Sequence, residues 1–148
     1  YKQLNYGFGT DGAASSNTLN PVEQARLFGL MGKYQERNSA AYTATEIWQH
    51  LMASHQAFPF GSGRLKEGAP ADLVIWDLYQ PDTFPFYSPI SAILYSSNSQ
   101  NVKYTMVAGE FLKYNGKLKI DTETLTQEAV RLQKALLERG KGKAQVAY

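Results

Sequence analysis

Apolar residues recur every three or four positions in three stretches of the chain, and this spacing predicts three amphipathic helices. The first is predicted from Pro21 to about Gln35, the second from Thr43 to near Ala57, and the third after Asp121. Polar residues suited to capping stand at each start: Asn20 with Glu23, Thr43 with Glu46, and Asp121. The first two helices have apolar faces that are expected to pack: Val22, Ala25, Phe28 or Leu30, and Met31; and Ile47, Trp48, Leu51 and Met52. The third has apolar residues at helical spacing: Leu125, Ala129, Leu132, Leu136 and Leu137.

Shorter apolar runs bounded by glycine or asparagine predict strands. A short strand is predicted over 5–8, followed by a small-residue loop over 13–20. Leu73 to Trp76 predicts a buried strand. Residues 102–114, with Ala108 and Gly109 at the centre, predict a β-hairpin. A further turn and strand segment follows at Asn115, Gly116, Leu118 and Ile120, and the glycines around Ser62 predict a hinge.

Composition excludes several classes of protein. Of 148 residues, 43% are hydrophobic and 19% charged, which is enough apolar material for a core. No apolar run approaches the roughly 20 residues of a membrane helix, and there are no cysteines for disulfides or thiolate sites. A net charge of +2 is too small for a nucleic-acid binder. Because no signal peptide is visible either, we expect a cytoplasmic protein that binds neither membrane nor nucleic acid.

Two familiar kinds of site are disfavoured by spacing. Gly7, Gly9 and Gly12 match the dinucleotide-binding glycine pattern, but eight residues separate Gly12 from the helix predicted at Pro21. His50 and His55 lie five positions apart on one predicted helix. Five residues turn a helix by about 500°, so the two side chains diverge and cannot share a metal. We therefore expect both histidines to lie at the surface or the helix end.

Asp11 is the strongest candidate for chemistry that the residues themselves indicate. It follows the predicted strand over 5–8 and stands among small residues that would let a ligand approach. Carboxylates at the C-terminal ends of parallel strands are where α/β barrels place catalytic groups. An aspartate in a glycine-rich turn can also simply bond its own loop. The pattern alone leaves both interpretations open.

Three short motifs follow one another over nearly the whole chain. They are Gly9-Thr10-Asp11-Gly12-Ala13-Ala14-Ser15 with Asn17 and Leu19; Gly63, Leu65, Gly68 and Ala71-Asp72-Leu73-Val74; and Val102, Met106, Val107, Gly109 and Gly116. Taken together, they resemble motifs of the amidohydrolase superfamily, in the branch of methylthioadenosine/S-adenosylhomocysteine deaminases and triazine chlorohydrolases. One departure lies at Ser54-His55-Gln56-Ala57, where Gln56 replaces a glycine usual in the family.

The resemblance implies an α/β fold made of the end of a larger enzyme. Residues 1–62 would be the last strand and following helices of a metal-dependent (β/α)8 hydrolase barrel. Residues 63–120 would be C-terminal strands of its composite β-sandwich domain, and residues 121–148 a terminal helix and tail. A complete barrel takes about 250 residues, so the earlier strands would lie outside this chain.

The resemblance also implies a chemistry for Asp11. It would bind or orient a divalent metal, zinc with iron as the alternative, and transfer a proton during hydrolytic deamination or dechlorination of a purine-like heterocycle. The remaining ligands would be histidines from earlier strands, beginning with an H-x-H pair that this chain lacks. A zinc site needs about three protein ligands, so the fragment alone is expected to bind no metal and to be inactive without the N-terminal part of the enzyme.

A non-catalytic interpretation stays open beside the enzymatic one. The chain could be an α+β binding module whose contact surface is the aromatic segment from Phe84 to Tyr95. On the enzymatic interpretation, a barrel strand without its neighbours leaves unpaired backbone groups, and the Ile47 stripe leaves apolar surface. We therefore expect the isolated chain to form a homo-oligomer.

Overall fold

The chain forms two compact units, Tyr1–Lys117 and Leu118–Tyr148. The computed structural model describes residues 6–56 and 63–140. The predicted hinge around Ser62 therefore lies largely outside the described residues. Within the described ranges, no helix combines the length and apolar character needed to span a membrane.

Three helices make up the first part of the larger unit. Helix α1 (Ala13–Ser16) is a single turn, and α2 (Pro21–Glu36) and α3 (Ala44–Gln56) match two predicted helices. The Asn20 side chain accepts hydrogen bonds from the backbone N–H groups of Val22 and Glu23 at 3.1 and 3.4 Å, which confirms the predicted cap. The carboxylate of Glu23 does not return to Asn20, as a capping box would require, but accepts from the Thr18 hydroxyl at 2.9 Å.

The start of α3 is a complete capping box. The Thr43 hydroxyl oxygen accepts from the Glu46 N–H at 3.3 Å, and the Glu46 carboxylate accepts from the Thr43 N–H at 2.8 Å. Both groups belong to a four-residue segment, so their pairing needs no tertiary contact. The prediction for this helix start is confirmed.

The core lies where α2 and α3 meet a later segment of the chain. Ile47 and Leu51 of α3 are buried as predicted, with Trp48 and Met52 packed beside them. Phe28, rather than Leu30, packs on the α2 side of this core. Leu30 and Met31 are 52% and 58% exposed, so their predicted burial is wrong. The buried residues of this core cluster are Val22, Ala25, Ile47, Leu51 and Leu94.

The sheet is antiparallel, with strand order β1-β2-β3-β4. Its strands are β1 (Leu73–Trp76), β2 (Val102–Val107), β3 (Glu110–Tyr114) and β4 (Lys117–Leu118). The β2–β3 hairpin turns at Ala108 and Gly109, whose φ angles of 50° and 84° fit a tight turn, and this prediction is confirmed. The Asp72 carboxylate accepts from the Ala108 N–H at 2.7 Å and fixes the turn to the start of β1.

A long segment connects β1 to β2 and returns to the helical core. It contains α4 (Pro89–Ser91), a π-helical turn over Ala92–Ser96 and a 3₁₀ turn over Ser99–Asn101. The Arg26 guanidinium of α2 donates to the backbone carbonyls of Leu94, at 2.7 Å, and Ser97. These charge-assisted bonds hold the π-helical turn against α2.

Several local predictions differ from the structure. Residues 6–8 form no strand in the described part of the chain, because a parallel strand needs hydrogen-bonded neighbours on its edges. The loop predicted over 13–20 contains α1, and Ile120 lies outside β4. Strand β1 is present but not buried, since Val74 and Ile75 are 52% and 49% exposed. An apolar run shows that a strand has side chains suited to burial. It does not show that another part of the chain packs on them, and here Val74 and Ile75 are only partly covered.

The smaller unit contains α5 (Thr122–Gly140). The Asp121 carboxylate accepts from the N–H groups of Glu123 and Thr124 at 3.1 and 3.0 Å, which confirms the predicted cap. The predicted apolar face is exposed, including Leu125 and Leu136. The helical spacing correctly predicts the helix, whereas burial of its apolar residues would require a second surface.

Gly29 gives a test of how closely α2 packs. A Cβ atom at Gly29 would lie 2.6 Å from Ile47 Cδ1 and 2.8 Å from the Tyr95 hydroxyl oxygen. Overpacking costs about 1–3 kcal/mol, and helix propensity returns only about 1 kcal/mol. Gly29→Ala should therefore lower the free energy of unfolding by about 1 kcal/mol in urea denaturation, whereas the control Leu30→Ala, on the exposed side, should change it little. An unchanged or raised midpoint for Gly29→Ala would contradict the packing.

The Asp121 cap gives a test by pH. Hydrogen bonds from the Thr124 hydroxyl, the Thr124 N–H and the Glu123 N–H hold the pKa of Asp121 below its ordinary value. A carboxyl whose pKa is lower in the folded state stabilises the fold above its unfolded pKa and loses that contribution as pH falls through the folded pKa. Helicity over 122–140, followed by NMR below about pH 4, should decline more in the natural chain than in Asp121→Asn, which caps without titrating. Parallel declines in the two proteins would contradict this role.

Candidate active site around Asp11

Asp11 lies in the short connection, here called the Asp11 turn, between α1 and the segment over 6–10, which has no regular secondary structure. Its φ is 57°, in the left-handed region that aspartate adopts more readily than most side chains. The side chain is exposed, and its Oδ1 accepts a hydrogen bond from the Gly12 N–H at 2.6 Å. In the part of the chain that the structure describes, no hydrogen bond reaches Oδ2. Asp11 therefore combines both features that the sequence left open. Oδ1 bonds its own loop, and Oδ2 is available to a ligand.

The backbone on both sides of Asp11 is fixed by short-range bonds. The Ser16 hydroxyl donates towards two carbonyls, those of Thr10 at 2.7 Å and Thr18 at 2.8 Å. The Gly12 carbonyl accepts from the N–H groups of Ser15 and Ser16 at 2.9 and 3.1 Å, which closes α1 directly after the turn. The Asp11 turn is thus anchored to the single helical turn that follows it.

The segment preceding Asp11 is anchored to α3. The Phe8 N–H donates to Ser54 Oγ at 2.8 Å, and the Ser54 hydroxyl donates to the His50 carbonyl at 3.1 Å. Gly7 lies so close to Ser54 that a Cβ atom there would be 2.3 Å from Oγ. A hydroxyl of a helical residue therefore supplies the acceptor that a neighbouring strand would otherwise supply.

Aromatic rings complete the anchorage of this segment. The Tyr6 ring stacks on the His50 imidazole with centroids 3.8 Å apart and planes inclined by 14°. Phe28 of α2 lies 5.5 Å from Tyr6 and 5.3 Å from both Phe8 and Tyr42, measured between ring centroids. Burial, together with Tyr42 and the negative charge of Glu46, raises the pKa of the Tyr6 phenol. This partly buried ring cluster joins residues 6–8 to α2 and α3.

A groove of about 730 Å³ opens beside this cluster, and Asp11 does not line it. Its walls include Tyr6, Tyr42, Glu46 and His50. The groove is therefore separate from the Asp11 carboxylate, and the candidate site is the Asp11 turn itself.

The structure gives His50 and the glycine pattern roles other than metal or dinucleotide binding. His50 is half-buried against Tyr6, so it is a packing residue, and the side chain of His55 lies outside the described residues. The glycine pattern does lead directly into a helix, contrary to the expected eight-residue gap. That helix, α1, is one turn long, and its Ser15 and Ser16 N–H groups already bond the Gly12 carbonyl.

The donor set at Asp11 suits a metal only in part. A carboxylate oxygen such as Asp11 Oδ2 is a suitable ligand for a divalent cation. Over the described ranges 6–56 and 63–140, no group of three His, Cys, Asp or Glu side chains could hold a metal ion. Asp11 therefore fits a metal as one ligand and cannot complete a site from described residues.

The sequence does not predict the hydrogen bonds that Ser54 and Ser16 make with the backbone at Phe8 and Thr10. Ser54 and Ser16 bond backbone groups, and backbone groups have no sequence signature. Only the Gly7 position carries a signal, since a glycine beside an apolar run indicates a close approach of another group. That signal gives no indication of which residue approaches.

Comparison with known proteins identifies relatives of this chain. Residues 2–112 match the sequence profile of the amidohydrolase family. A 5-methylthioadenosine/S-adenosylhomocysteine deaminase of Caldicellulosiruptor saccharolyticus is 38% identical over 138 residues, covering 91% of this chain and 32% of the relative.

Two solved structures share the fold. An adenosine deaminase from Xanthomonas campestris with bound zinc has a TM-score of 0.84 and 26% identity, covering 91% of this chain and 32% of its own. An atrazine chlorohydrolase from Arthrobacter aurescens complexed with zinc has a TM-score of 0.78 and 24% identity, covering 87% of this chain and 30% of its own, and shows the fold alone. The chain therefore spans about a third of the length of each of these relatives.

Phe28 gives a test of the aromatic anchorage. Phe28→Leu keeps an apolar side chain but removes three ring contacts, each worth about 0.5–1.5 kcal/mol beyond burial. We expect the free energy of unfolding to fall by about 1–2 kcal/mol and hydrogen exchange at the Phe8 amide to accelerate. Tyr87→Leu, at a fully exposed ring, is the control and should leave both unchanged. If Phe28→Leu behaved like this control, the ring cluster would not anchor the segment.

Proposed function

The chain belongs to the amidohydrolase family, and from that premise we propose that it forms the C-terminal part of a zinc-dependent hydrolase that removes the amino group of an adenine-type ring. The observation that carries the proposal is the exposed Asp11 carboxylate, held in a fixed turn within the matched residues 2–112. The relatives that are named deaminases support the reaction class. Dechlorination of a triazine is the alternative reaction, supported by the chlorohydrolase through its fold alone.

In this reaction Asp11 transfers a proton. Hydrolytic deamination adds the oxygen of water to the ring carbon that bears the amino group, and the carbon–nitrogen bond breaks to release ammonia. Water must lose a proton as it attacks, and the leaving nitrogen must gain one. The Asp11 carboxylate can take that proton at Oδ2 and return it to the nitrogen, while the Gly12 N–H holds Oδ1 in place.

The proposed metal would be held by Asp11 and by residues outside this chain. When bound, a zinc ion lowers the pKa of a water molecule towards neutrality. Asp11 contributes a single carboxylate, and its two oxygens differ in surroundings, since only Oδ1 carries the bond from Gly12. Oδ2 is the oxygen that we assign to the metal or to the proton. We also propose that the whole protein is a homo-oligomer and that its substrate is a small heterocyclic amine.

Asp11→Asn in the whole protein that contains this chain tests the assignment. The amide keeps a polar side chain of the same size but cannot accept and return a proton at neutral pH. We expect ammonia release from 5′-methylthioadenosine to fall by about 10²–10⁴-fold, the usual contribution of general acid–base catalysis.

Glu123→Gln is the matched control, because it removes an exposed carboxylate from α5 and should leave the rate unchanged. Zinc content by mass spectrometry should fall in Asp11→Asn if the carboxylate is also a ligand. An Asp11→Asn protein with the natural rate would overturn the role of Asp11. A natural protein that released neither ammonia nor chloride from its candidate substrates would instead favour the non-catalytic binding module.

A further inference from the structure

We propose that Ser54 is a positioning residue that acts through the backbone on Asp11. This inference rests on the proposed function of Asp11. Ser54 lies on α3, far from Asp11 in sequence, and its hydroxyl contacts the segment over 6–10 three residues before Asp11. The contact supplies a fixed point from which the Asp11 turn begins.

The Ser54 hydroxyl makes two hydrogen bonds, one as donor and one as acceptor. It donates to the His50 carbonyl one helical turn earlier, at 3.1 Å, and accepts from the Phe8 N–H at 2.8 Å. Donation to the His50 carbonyl orients the Oγ lone pairs away from the helix axis, towards Phe8. One hydroxyl therefore donates to α3 and accepts from the segment at the same time.

Gly7 sets the distance between the segment and α3. A Cβ atom at this position would lie 2.3 Å from Ser54 Oγ, 2.9 Å from its Cβ and 3.1 Å from its Cα. The last of these atoms is backbone and cannot rotate away. The pair of residues, one without a side chain and one with a short polar one, permits the approach that the 2.8 Å hydrogen bond requires.

Only two residues, Gly9 and Thr10, separate this fixed point from Asp11. On the far side of the segment, the Ser16 hydroxyl holds the Thr10 carbonyl at 2.7 Å. Asp11 therefore follows a short stretch whose two ends are each bonded to a serine. Between them, a Cβ atom at Gly9 would meet no other group within 4 Å, so neighbouring side chains do not constrain this residue sterically. Loss of the Ser54 contact would leave the Phe8 end of this stretch held by ring packing against Phe28, without the directional hydrogen bond to α3.

The experiment uses the whole protein that contains this chain and compares Ser54→Ala with Ser54→Thr. Removal of the hydroxyl should lower kcat for deamination of 5′-methylthioadenosine by about 10–100-fold with KM unchanged, since small misplacements of a catalytic group cost up to about 10²-fold. Ser54→Thr keeps the hydroxyl and should restore kcat to within about threefold. Thr45→Ala, on an exposed position of the same helix, is the matched control and should not change kcat.

A double-mutant cycle separates positioning from general damage to the fold. If Ser54 acts through Asp11, Ser54→Ala should cost little further activity when Asp11 is already Asn, measured in single turnovers over hours. A full additional loss in that background would show that Ser54 acts elsewhere and would overturn the inference.

Hydrogen exchange supplies a readout that does not depend on activity. The Phe8 amide should exchange faster in Ser54→Ala and at the natural rate in Ser54→Thr, with unchanged exchange across α2 as the internal reference. Equal protection in all three proteins would overturn the contact. Faster Phe8 exchange with unchanged kcat in an active protein would overturn the positioning role alone, whereas absence of hydrolase activity in the natural protein would overturn the proposed function and, with it, this role.

Discussion

The close approach of α2 to α3 at Gly29 is the contact on which the rest of the larger unit depends. With no side chain at Gly29, the Ile47 side chain and the Tyr95 ring both reach the α2 backbone. The residue directly before Gly29, Phe28, contacts the rings of Tyr6 and Phe8. The interhelical distance therefore decides where the segment leading to Asp11 can lie. A packing constraint in the core becomes a geometric constraint on a carboxylate at the surface.

The sequence predicts best those features whose partners are close in the chain. The caps at Asn20, Thr43 and Asp121 each bond N–H groups within three residues, so composition and spacing determine them. The β2–β3 hairpin is likewise a local turn with a left-handed Gly109. Burial is different, because it requires a second surface. The apolar run of β1 predicts the right element and the wrong environment for this reason.

The site shows the same division. Asp11 could be found from its place in a glycine-rich turn and, more securely, from the resemblance of the motif around it to a family. The fold class that this resemblance implied is confirmed by the match over residues 2–112 and by the shared fold of the zinc-bound adenosine deaminase. Ser54 could not be found in this way. Its partner is a backbone N–H 46 residues away, and nothing in a side-chain pattern marks such a pairing.

A carboxylate can bind a metal, transfer a proton or bond its own loop, and its position among neighbouring groups determines which of these it does. Asp11 is exposed, and its usefulness to a hydrolase depends on where Oδ2 is held relative to the reacting atoms. The left-handed turn, the Gly12 N–H and the two serines fix that position through the backbone. The described part of the chain therefore determines the placement of one carboxylate, and under the proposed function the metal ligands and substrate contacts would have to come from other segments.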